Sequence, residues 1–154
     1  MLSIVVAGCS APAAVPSAAP PTAPPAANAA VTARAPSPTG ATLKILSPTA
    51  GGTVGLGAVK VSVNYAGPTL VPGPEAKKLD DYHLHYFLDE DANGFVQGAR
   101  PIPTGNPHII HSAAKEVTFE NVGNGAHTVA VVMSGNNHIP VNPILIDTVS
   151  FTAQ

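Results

Sequence analysis

Charge is scarce in this chain. Its 154 residues carry 7 Lys and Arg against 9 Asp and Glu, a formal charge of −2. The basic residues are scattered and form no stripe, so the electrostatic footprint of a nucleic-acid binder is missing. Tryptophan is absent and cysteine occurs once, at Cys9, which excludes an internal disulfide. Beyond the first few residues no apolar run approaches the ~20 residues that a membrane-spanning helix needs. No G-x-S-x-G is present, so a nucleophile elbow of the hydrolase type is excluded, and no enzymatic activity is expected. No segment shows a convincing helical period, and there is no internal repeat.

What the chain does have is proline, glycine and histidine: 17, 14 and 6 residues respectively. Residues 10–40 are almost entirely Ala, Pro, Ser and Thr. Such a stretch has too little apolar surface to offset its ordering entropy, so it reads as a disordered linker. Just before it, the apolar run from Leu2 ends in Val6-Ala7-Gly8-Cys9, which resembles a bacterial lipobox. That resemblance implies acylation of Cys9 and attachment to a lipid bilayer, with the protein facing the periplasm or the exterior. The apolar run is shorter than the ~7–15 residues of a signal peptide and has no basic start. Residues 1–9 are therefore expected to be a truncated signal segment whose true start lies upstream of Met1. The linker, extended at up to about 3.1 Å per residue, would let the domain at 41–154 work well away from the membrane.

That domain reads as short strands separated by Gly, Pro and Asn clusters, the pattern of an all-β, Ig-like antiparallel sandwich of about seven strands. Val59, Val61, Val63 and Tyr65 alternate with Lys60, Ser62 and Asn64, the period of a half-buried strand. Leu43 to Leu46, Tyr82 to Leu88, Lys115 to Asn121, His127 to Met133 and Asp147 to Thr152 are further strands. Asn93-Gly94 predicts a hairpin turn, with Phe95 to Gln97 as a short return strand.

Five histidines fall where such a sandwich can gather them: His83, His85, His111, His127 and His138. His83 and His85 lie two apart on one strand, so both leave the same face. Imidazole is the commonest protein metal ligand, and an imidazole set without thiolate suits copper or zinc. The competing reading leaves these side chains as polar surface of a structural or adhesion domain. Each ligating ring would normally give its second nitrogen to a carboxylate or carbonyl; Asp80, Asp81 and Asp89 are near enough in sequence to serve. Met133 shares strand parity with His127, so a thioether contact is open beside an ordinary place in the core. His108, before two isoleucines, is set apart from the five. Asp89, Asp91 and Asn93 match the opening of a calcium loop, but position 12 is Arg100 where a bidentate Glu is needed, so calcium is the weaker alternative.

The order H-x-H-x-x-x-D at His83–Asp89, G-x-H-T at Gly125–Thr128 and H-x-P at His138–Pro140 resembles a family of small exported bacterial β-sandwich domains of unknown function. The resemblance covers most of 41–154. It implies that His83, His85, His111, His127 and His138 are the family histidines and that His108 is not. The H-x-H strand is also similar to that of copper–zinc superoxide dismutase, but the disulfide of that family is impossible here. The expectation is thus an exported, lipid-anchored, non-catalytic metal-binding sandwich that interacts with no nucleic acid.

Overall fold

The computed structural model describes residues 33–154; the lipobox-like sequence expected at Cys9 and most of the expected linker lie outside the described residues. The described part is an all-β sandwich. One sheet has three strands, ordered β1 (Thr42–Ser47), β3 (Gly57–Ala66), β6 (Glu116–Val122). The other has five, ordered β2 (Thr53–Val54), β8 (Ile146–Ala153), β7 (Gly125–Ser134), β4 (His83–Leu88), β5 (Ile109–Ser112). All pairings are antiparallel except the short β2–β8 contact, which is parallel.

The alternation read in β3 is realised: Val59, Val61, Val63 and Tyr65 are buried while Lys60 and Asn64 are exposed. They meet Leu84, Tyr86 and Leu88 of β4, Val129, Val131 and Met133 of β7, and Val149 and Phe151 of β8 in the inter-sheet core. Met133 is therefore an ordinary core side chain, fully buried and paired in register with Leu84.

β4 lies inside its sheet and is buried along its whole length. Its second face carries His83, His85 and Phe87. A smaller core of Phe87, Ala92, Ile102, Ile109, Ala130 and Val132 covers that face. The expectation of a hairpin at Asn93-Gly94 with a return strand at Phe95–Gln97 is overturned here. These residues form a short helix, α1 (Ala92–Gly98). The Asp91 carboxylate caps it by accepting from the Asn93 amide at 3.0 Å, and Ala99 ends it in the left-handed region at φ 47°. Phe95 and Val96 lie along the helix and pack on the smaller core, with the Phe95 ring 6.0 Å from Phe87. Seven residues are less than two full turns, too few to register as a period in the sequence.

The boundary drawn at residue 41 also moves. Ala35 is fully buried, the Ser37 and Asn142 amides exchange hydrogen bonds with this segment (Ser37 N to Asn142 O, 2.8 Å; Asn142 N to Ala35 O, 3.0 Å), and the Tyr82 hydroxyl donates to Pro36 O at 2.7 Å. The Arg34 guanidinium donates to the Val96 carbonyl. Residues 33–37 thus strap across the end of the sandwich, because their backbone groups find fixed partners despite a linker-like composition.

Candidate metal centre

His83 and His85 leave the outer face of β4 in consecutive outward positions. Antiparallel pairing places His111 of β5 opposite His85, and Ser134 of β7 opposite His83. Side chains directly opposite on one face have Cβ atoms about 4.5–5.5 Å apart, so register alone gathers three imidazoles and a hydroxyl. The fourth imidazole comes from the tight loop after β7. There the His138 amide donates to Gly135 O at 2.9 Å, the Gly135 amide to Ile139 O at 3.3 Å, and Ser134 bridges Pro140. His138 itself sits at φ 61°, a conformation a non-glycine residue rarely takes. Its carbonyl accepts from the Ile102 amide at 2.9 Å, which ties the loop to the smaller core.

The four rings crowd together. Centroid separations run from 4.2 Å (His85–His111) to 6.2 Å (His83–His111), and one nitrogen from each of His83, His85, His111 and His138 lies within 4.8 Å of the others. In a tetrahedral site with metal–nitrogen bonds of about 2.0–2.1 Å, ligand nitrogens are about 3.3 Å apart. Ligation would draw the rings in from the present spacing.

The hydrogen bonds around the cluster decide where the lone pairs point. The His111 Nε2 lies 2.9 Å from Pro103 O, a carbonyl that only accepts; Nε2 carries the proton and Nδ1 the lone pair. Ser134 Oγ donates to Gly135 O at 3.2 Å, which leaves its lone pairs to accept from His85 Nδ1 at 3.0 Å and, more weakly, from His83 Nε2 at 3.5 Å. The remaining nitrogens are His83 Nδ1, His85 Nε2 and His111 Nδ1. All three are buried and have no hydrogen-bond partner. Buried polar atoms are nearly always paired, so three orphaned lone pairs in one cluster form a cavity suited to a cation. Burial holds all three rings in the neutral, ligating form: His83 is pushed down to about 4, and His85 and His111 fall below the ordinary imidazole range, each helped by neighbouring histidines. For His111 this outweighs the raising effect of the Pro103 hydrogen bond.

The cluster opens on one side. His83, His111 and His138 line a cleft of about 330 Å³ walled by Pro72–Pro74 and Ala113. A second hollow, bounded by Gly105–Pro107, shares His111 and His138 with it. His85, fully buried, lies beneath.

His127 is not in the cluster. Its Nδ1 is 2.7 Å from Asp89 Oδ2 and its Nε2 is 3.0 Å from Gly123 O. Both partners are acceptors, so each ring nitrogen is already engaged in a hydrogen bond and neither faces the cluster as a free donor atom. The Asp89 hydrogen bond accordingly raises its pKa. Asp89 also accepts from the Thr128 amide, Asp91 caps α1, and Asp81 accepts from the Lys77 and Lys78 amides. None of them supports a cluster ring; a hydroxyl and a carbonyl fill the places expected for carboxylates. With Asp89 and Asp91 so engaged, the calcium alternative at Asp89, Asp91 and Asn93 has no converging ligand set. His108 is exposed, as is Asp80. Sequence reasoning missed Ser134, for which no signal was present beyond its register, two residues past a run of core valines.

No protein-family model matches the chain, and no curated protein matches it. Among solved structures it is similar to the crystal structure of an engineered protein, at 15% identity and a TM-score of 0.44 over 77% of this chain. The chain spans about a fifth (21%) of that protein's length.

Proposed function

We propose that this domain binds one transition-metal ion through His83, His85, His111 and His138, copper ahead of zinc, and stores or hands over that ion without turnover. The convergence of three buried, unpaired imidazole nitrogens beside a fourth histidine carries this reading. An all-nitrogen set without thiolate favours Cu(II) or Zn(II), and Cu(II) binds such donors more tightly in the general affinity order. The Val6-Ala7-Gly8-Cys9 sequence supports an exported protein anchored to a bilayer through acylated Cys9. The rival, an Ig-like structural or adhesion domain, draws on the strand order, in which a three-strand sheet faces one extended at the β5 edge. It gives no role to the orphaned nitrogens.

Calorimetric titration of the full chain, carrying Cys9→Ser to remove a competing thiol, tests the proposal. One saturable Cu²⁺ or Zn²⁺ site is expected. His85→Ala should weaken it at least ~100-fold, while His127→Ala leaves it unchanged. No saturable heat with either ion would favour the structural domain.

A further inference from the structure

The metal reading leaves a charge unanswered. A divalent ion among four neutral imidazoles keeps its full charge in a site where His83 and His85 are buried and His111 and His138 half-buried, and an uncompensated buried charge is costly. Protein metal sites commonly answer it with a carboxylate in or beside the ligand set. Here the groups that hold the rings are Ser134 Oγ and the Pro103 carbonyl, both neutral. Neither hollow above the cluster includes an acidic side chain in its wall. Two carboxylates neighbour the lining without belonging to it: Glu90 accepts a 3.0 Å hydrogen bond from the Asn106 amide group at the rim of the second hollow, and the exposed Glu75 follows Pro74 in the chain. Apart from the histidines, the hollows are walled chiefly by proline, glycine and alanine, with Ile109 and the uncharged polar Thr104, Asn106 and Ser112.

We propose that the cleft admits an external carboxylate, which becomes an additional ligand to the ion on its His83–His111–His138 side. This rests on the metal reading above. The cavity of about 330 Å³ has room for a small organic acid or for one Asp or Glu side chain of a docking protein. Either source supplies the same chemistry: an anionic oxygen donor that cancels charge on an ion whose protein ligands supply none. His85, sealed beneath the cluster, is on the face no external ligand reaches. The cleft side of the cluster is thus the direction from which an added ligand can arrive.

The test uses the full-length Cys9→Ser chain loaded with one equivalent of Cu²⁺, followed by electron paramagnetic resonance and visible absorption while acetate is added at constant ionic strength held with perchlorate. A saturable change in the copper spectrum is expected. The variant Ala113→Glu, which brings a carboxylate to the cleft wall, should weaken the acetate response at least about tenfold while copper still binds. Replacing acetate with peptides ending in Asp or Glu separates the sources: a response at concentrations at least tenfold below acetate points to a protein partner, an equal response to small acids. Copper bound at one equivalent with a spectrum indifferent to acetate and peptides overturns the external ligand and leaves the metal reading intact. Absence of saturable copper binding overturns the metal reading itself.

Discussion

Ser134 shows how one small side chain organises the cluster. Its hydroxyl hydrogen goes to Gly135 O, and its lone pairs hold His85 and His83 by the nitrogens that face away from the centre. Replacing it with alanine removes no ligand, yet it frees both rings to rotate and strands a buried N–H. Partners of this kind typically contribute 10–100-fold to metal affinity. Ser134→Ala should therefore weaken metal binding by that factor, and cost about 1–3 kcal/mol in unfolding free energy from the unpaired donor. Calorimetry and urea unfolding measure the two effects; unchanged affinity would show that packing alone orients the rings. His127 is the contrast. The sequence grouped it with the ligands because residue type and order were all it could offer. What separates His127 from His85 is the chemistry of its neighbours, a carboxylate and a carbonyl 38 and 4 residues away in sequence; the pairing with the distant Asp89 leaves no local signature.

At the scale of elements, the strands of the core were legible because period-two alternation is written in one strand at a time. The outer face of β4 was not, since its cover comes from α1, Ile102 and Ile109, elements too short or irregular to carry a period. Positions on that face looked like solvent-facing polar residues and are in fact buried. The loop after β7 depends on an equally non-local fit. A Cβ on Gly135 would stand 2.4 Å from the Leu79 carbonyl oxygen and 2.8 Å from the Ala35 side chain, both closer than real contacts allow. Gly135→Ala must push this loop outward, and His138 three residues on moves with it. Overpacking of this kind costs about 1–3 kcal/mol, and metal affinity should fall at least ~10-fold although His83, His85 and His111 are untouched. Gly55→Ala, where an added Cβ meets nothing within 4 Å, is the matched control and should change neither quantity. The comparison also tests the strap, because Ala35 belongs to the segment that composition alone assigned to a linker.

For the whole molecule, the histidines set opposing demands on pH. Burial keeps His83, His85 and His111 neutral when folded, with His83 held down to about 4, whereas in the unfolded chain each takes a proton near 6.5. Below that value the unfolded state binds more protons than the folded one, so stability must fall with acid. At pH 5 the His83 contribution alone is on the order of 2 kcal/mol. His127 works the other way. Its hydrogen bond to Asp89 raises its folded value, so its stabilisation is complete below about 6.5 and is lost as pH rises through the folded value. Metal-free protein should therefore be most stable close to neutrality and lose stability more steeply on the acid side, where three groups act against one. Urea unfolding in a chelator at pH 5, 6, 7 and 8 reads this profile. His127→Gln should flatten the limb above 6.5 while leaving the acid limb in place. A saturating metal ion adds stability by mass action and, because it occupies the same lone pairs that protons seek, should move the acid limb to lower pH. A metal-free protein equally stable at pH 5 and 7 would mean that the three rings are not shielded from water and that the cluster is an open polar surface.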